Sequence, residues 1–70
     1  MQVDAKKLGQ NIKKLRFRLG ISQETLARRA DLKLSNVAKL EGGFNFNPTL
    51  ATLIAIAKII ADGSIDRLLR

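Results

Sequence analysis

The stretch QETLARRADLKLSNVAKLEG, residues 23–42, decides how the rest of the chain has to fold. It reads as two short helices, 23–30 and 34–41, interrupted by Asp31, Leu32 and Lys33. Ser22, just before it, is a residue type that caps helix N-termini, and Glu24 sits near the positive end of the helix dipole. Two short helices crossing beside a tight turn need a small side chain where they meet, and Ala27 supplies it. Leu26, Ala30, Leu32, Val37 and Leu40 then fall where they lock the pair against a core. Burying Val37 and Leu40, at i and i+3, leaves Leu34, Ser35, Ala38 and Lys39 nearer the outer side. Leu34 lies three residues before Val37, so the edge of the core stripe is a second place for it. Gly42 and Gly43 end the second helix.

Working outward, Leu8, Ile12, Leu15 and Leu19 recur at helical spacing behind an N-cap at Asp4. They predict a helix over 5–19 that Gly20 stops. Residues 44–47 read as a loop closed by Pro48, which suits the entrance to a helix. A fourth helix over 49–61 carries Leu50, Leu53, Ile54, Ile56, Ala57, Ile59 and Ile60. That is apolar on more than one stripe, and the surplus suits either a central core helix or a dimer seam. Gly63 stops it, and Ser64 caps a last short helix over 65–69. No strand pattern or internal repeat occurs. The expectation is an all-α, compact five-helix domain spanning residues 1–70. Of Phe44 and Phe46, one is expected to fold back as a core plug and the other to meet a partner.

Composition narrows the chemistry. The 70 residues include no Cys and no His, which excludes thiol chemistry, imidazole catalysis and the usual zinc sites. The six Asp and Glu residues are scattered and mostly explained as caps and pairs, so no nucleophile–base constellation can be drawn. Neither an enzymatic activity nor a cofactor or metal is expected. Thirteen Lys and Arg give a net charge of +7. The excess is uneven: residues 6–39 hold ten basic residues against Glu24 and Asp31, whereas from residue 40 onward three face three. The first part suits contact with a polyanion, although a solubilising surface has the same charge. The longest apolar run, 53–57, is far too short to span a bilayer, and no apolar leader segment opens the chain. A soluble, cytoplasmic protein with no membrane contact is expected.

Two helices locked in this way are the physical signature of a helix-turn-helix, whose second helix projects into the DNA major groove. Five segments carry a closer likeness: LGQNIKKLR (8–16), GISQETLA (20–27), VAKLEGG (37–43), NPTLATL (47–53) and SIDRLL (64–69). On these the chain resembles the lambda Cro/cI-repressor type of helix-turn-helix, the XRE family, over nearly its whole length. The resemblance implies that Gln23 bonds a DNA phosphate with help from the helix N-terminus. It implies that Leu34, Ser35, Ala38 and Lys39 enter the major groove, that Asn36 faces the DNA backbone, and that the loop from Asn45 to Asn47 holds phosphates. It also implies a structural pair of Arg16 with Glu41, bridging the first helix to the end of the third. Four departures stand out. Asp31 replaces a turn Gly, Lys33 replaces a Ser or Thr cap, Leu34 replaces a polar base-reader, and a longer turn at 61–63 replaces a Gly after the fourth helix.

Other basic residues divide by position. Lys39 has an obvious acceptor in guanine O6 and N7. Arg28 is counted with the DNA-binding set, although it and Arg29 also suit plain surface. Lys6, Lys13 and Lys14 are expected to supply long-range field only. Two functions compete. One is a sequence-specific regulator of transcription, a repressor binding a palindromic operator in double-stranded DNA as a homodimer. The other is an antitoxin-type module that sequesters a protein partner and autoregulates by binding DNA. Leu34, Phe46 and the apolar surplus of the fourth helix favour the second, and the want of a separate toxin-binding tail speaks against it.

Overall fold

The computed structural model describes residues 3–45 and 47–70, and all but one of its helices begin at a side chain that accepts an otherwise unpaired N–H. α1 (Ala5–Leu19) starts at Asp4, whose carboxylate accepts from the N–H of Lys7 at 3.1 Å. α2 (Gln23–Arg29) starts at Ser22, which accepts from Thr25. α4 (Leu50–Ile60) and α5 (Ile65–Leu69) are capped by Thr49 and Ser64. Each such cap contributes about 1 kcal/mol. α3 (Leu34–Glu41) is the exception: Lys33 stands at its N-cap with no side-chain bond. Its position is held by burial of Val37 and Leu40 instead.

The turn between α2 and α3 works without glycine. Asp31 takes φ +56°, the left-handed region that a short polar side chain tolerates best after Gly. The N–H of Leu32 then reaches back to the carbonyl of Ala27 at 2.8 Å. Ala27 itself is buried at the crossing. At the end of α1 the reversal is left to Gly20, at φ +67°.

Leu8, Ile12, Leu26, Val37, Leu40, Leu53, Ile56 and Leu68 are fully removed from water and Leu15 and Ile60 nearly so, and all five helices feed one core. Each contributes roughly 1.5–3 kcal/mol of burial. Asn11, half-buried on α1, donates to the carbonyl of Leu68 at 2.9 Å and ties α5 back onto α1. Five helices and no strand occur among the described residues. No helix among them is long and apolar enough to cross a membrane.

Three expectations need correction, at Leu19, at the bounds of α4 (Leu50–Ile60) and at the end of α2. Leu19 is 52% exposed, because the chain reverses at Gly20 before α2 can cover it. Of the two loop aromatics, Phe44 is 77% exposed and so is not a core plug, while Phe46, on which the other half of that expectation falls, lies outside the described residues. Pro48 stands just ahead of α4, at the entrance where it was expected, and is fully buried there. Thr49 is the cap of α4 rather than its first residue, because its hydroxyl accepts from the N–H of Thr52. α2 likewise ends one residue early, at Arg29.

Candidate nucleic-acid interface

With Val37 and Leu40 turned into the core, α3 has only one outer face. Leu34 (46% exposed), Ser35, Asn36, Ala38 and Lys39 all lie on its exposed side. The ambiguity over Leu34 is thus resolved toward solvent. Arg28 and Arg29, at the end of α2, are also exposed. The one acid of α3, Glu41, does not face outward: its side chain is 3% exposed. The outer face of α3 therefore carries cationic, small and apolar groups and no carboxylate, which suits approach to phosphates and base edges.

Glu41 is buried in a bonded cluster. Arg16 donates from Nε to Oε2 at 2.7 Å and from Nη2 to Oε1 at 2.8 Å, and its Nη1 reaches the carbonyl of Ile21 at 2.8 Å. The hydrogen bond to Glu41 raises the guanidinium above its ordinary pKa, burial opposes that, and the carboxylate charge adds to the rise. Gln23 joins the same carboxylate, donating from Nε2 to Oε1 at 3.2 Å. One acid thus ties α1, the first turn of α2 and the last turn of α3 together. This sets the angle at which α3 is presented, and no buried polar side-chain atom is left unbonded among the described residues.

The remaining residues expected at the site divide. Gln23 is half-buried and already committed through one amide N–H to Glu41, so its amide plane is set before any phosphate arrives. Asn45 is half-buried, and its side-chain oxygen accepts from the N–H of Asn47 at 3.0 Å, which makes it a shaper of the loop. Asn47 is exposed. Sequence reasoning missed two further residues. Gly9 lies in the middle of α1, where a Cβ would run into the backbone carbonyls of Leu40 and Glu41, so it permits the close approach of α1 to α3. Its signal was a Gly inside a helix, which costs about 1 kcal/mol against Ala and asks for a packing reason. Phe17 was passed over as a helix residue and is 62% exposed.

On α4, Leu50 (53% exposed), Ala51 and Ile54 (39% exposed) form an apolar outer strip that no described residue covers. It borders a shallow groove whose walls also include Arg29, Asp31, Lys58 and Ile59. No group of His, Cys, Asp and Glu among the described residues is placed to hold a metal ion.

Comparison with known proteins bears directly on this geometry. The profile of a helix-turn-helix family matches residues 12–68. The chain is similar to the crystal structure of the restriction-modification controller protein C.AhdI from Aeromonas hydrophila. That likeness has 35% identity and a TM-score of 0.85, covering 93% of this chain and 96% of that one. No curated protein matches the chain. The outward α3, the turn at Asp31 and the match across α1 to α5 agree: this chain belongs to the Cro/cI-type helix-turn-helix family of DNA-binding transcriptional regulators.

Proposed function

We propose that the protein is a repressor that binds a palindromic operator as a homodimer and acts in the cytoplasm. The observation that carries the reading is the outer face of α3, which is exposed from Leu34 to Lys39 except at Val37 and is free of carboxylate. On this reading Lys39 and Ser35 read base edges, Leu34 packs on a thymine methyl, and Ala38 lets the helix approach closely. Gln23, Asn36, Asn45, Asn47 and Arg28 hold the backbone phosphates. The apolar strip of Leu50, Ala51 and Ile54 is the dimer seam, and two-fold symmetry would set half-sites about one helical turn apart. The likeness to a restriction-modification controller favours, as the genes under control, those of a restriction-modification system.

Selection of bound sequences from random duplex DNA, at stated salt, tests the core of this. An enriched palindrome is expected, with affinity falling steeply as salt rises. Lys39→Ala should relax preference at one base pair per half-site, a loss of about 1–3 kcal/mol of discrimination. Gln23→Ala should weaken all sequences alike. The same consensus for wild type and Lys39→Ala would place the reading face elsewhere. A changed consensus for Gln23→Ala would remove its phosphate role.

The dimer is tested separately. Ile54→Lys should give a monomer by light scattering and lower operator affinity while the helical circular dichroism spectrum is retained, with a melting temperature no longer dependent on protein concentration. A strictly monomeric parent protein, with and without DNA, would refute the seam.

A further inference from the structure

α1 contains no carboxylate from Ala5 to Leu19. Its core side carries Leu8, Ile12 and Leu15, its α3 side carries Gly9 and Arg16, and Asn11 faces α5. The opposite side holds Gln10, Lys13, Lys14, Phe17 and Arg18, which together line a shallow, open depression. No described element of the chain covers it. The Phe17 ring is met by two cations, with the Arg16 guanidinium 4.7 Å and the Lys13 ammonium 5.8 Å from its centroid. Phe17 follows Arg16 and so is turned about 100° around the helix from the side that meets α3. The DNA-reading face of α3 and this face of α1 are different surfaces.

An exposed aromatic ring among Lys13, Lys14 and Arg18, with no carboxylate lining the same depression, is more than a solvated helix face requires. Solubility is served by the lysines alone, and an exposed ring works against it. Duplex DNA has no use for the ring, because phosphates are met by cations. A single nucleic-acid strand would use it for stacking, but such sites present several aromatics in succession, and this one presents a single ring. A second copy of this chain would bring the same positive charges against it. What fits is an apolar anchor surrounded by carboxylates.

We propose that the back of α1 docks an acidic amphipathic helix of another protein. An apolar side chain of that helix lies against Phe17 and the alkyl stems of Lys13 and Lys14, and its Glu and Asp residues pair with Lys13, Lys14 and Arg18. The bland roles first assigned to Lys13 and Lys14 become specific ones. Because α3 is left open, the partner can be held while the protein sits on DNA.

The test is a titration of the isotopically labelled full chain, followed by NMR. The probe is a short peptide helix with Leu along one face and Glu elsewhere. Its counterpart with Lys in place of Glu and a thymidine oligonucleotide are titrated in parallel. The acidic peptide should shift the amide signals of Lys13, Lys14, Phe17 and Arg18 saturably, and the lysine peptide should not. Phe17→Ala should weaken the acidic peptide by about tenfold or more, as for a central interface anchor, with an unchanged melting temperature. Lys14→Glu combined with Arg18→Glu should abolish that binding and admit the lysine peptide. Shifts confined to α3, absence of saturable binding, equal affinity for Phe17→Ala, or preferential saturation of these residues by the oligonucleotide would each overturn the proposal.

Discussion

Glu41→Ala should lower the stability of the fold by about 3–5 kcal/mol, the cost of stranding one member of a buried ion pair. The carboxylate accepts three hydrogen bonds, two from Arg16 and one from Gln23. Without it, the Arg16 guanidinium keeps one hydrogen bond, to the carbonyl of Ile21, and the face of the Phe17 ring, in a place where its side chain is 7% exposed. The guanidinium cannot shed its charge, since its pKa lies far above neutral. A chain of this size has little stability in reserve, of the order of 5 kcal/mol, so the variant should melt well over about 10 °C lower. Circular dichroism on heating measures this. Replacing both partners, Arg16→Met with Glu41→Leu, should recover most of the loss, because no buried charge is then left unpaired. An unchanged melting temperature for Glu41→Ala would make the pair an ornament of the surface. DNA affinity should fall further than unfolding alone explains, because the same acid sets the angle of α3 and the amide of Gln23.

Gly9→Ala should cost stability at the upper end of the roughly 1–3 kcal/mol range for overpacking. Local preference says the reverse: Ala inside a helix is better than Gly by about 1 kcal/mol. The tertiary contact outweighs it. A Cβ at this position would meet the carbonyl oxygen of Leu40 and lie 2.7 Å from that of Glu41. Both are backbone atoms in the last turn of α3, held by the helix, and neither can swing aside as a side-chain tip would. α1 and α3 must move apart, and the Arg16–Glu41 pair spans that same gap. Gln10→Ala, next to it on the exposed side of α1, is the control and should be nearly neutral. If Gly9→Ala raises the melting temperature, helix propensity governs the position and the close crossing is dispensable.

The number, order and nature of the elements were legible from residue pattern alone. Caps at Asp4, Ser22 and Ser64, the reversal at Gly20 and the apolar spacing through Leu26, Val37 and Leu40 are local signals, each decided within a turn or two of chain. The segments from LGQNIKKLR to SIDRLL also carried the family, because each satisfies a requirement of the same packing. Boundaries were less legible at Thr49, where a hydroxyl had to choose between helix interior and cap.

What the pattern could not decide is which apolar residue is covered and which polar residue is occupied, since both depend on what another helix brings. Leu19 and Leu15 obey the same periodicity, yet Leu15 is buried and Leu19 is exposed, because α2 departs before reaching the end of α1. Leu34 and Phe44 were ambiguous for the same reason. Gln23 and Asn45 looked like donors for phosphate, and only the fold showed that Gln23 is also bonded to Glu41 and that Asn45 also closes a loop. Gly9 and Phe17 are the sharpest cases. The sequence by itself determined a five-helix chain with an outward α3, since hydrophobic spacing and capping are properties of neighbouring residues. The closeness of α1 to α3 at Gly9, the bond of Gln23 to Glu41 and the exposed ring of Phe17 were decided by tertiary structure alone, because contact and burial are properties of the space between elements that no single element's sequence encodes.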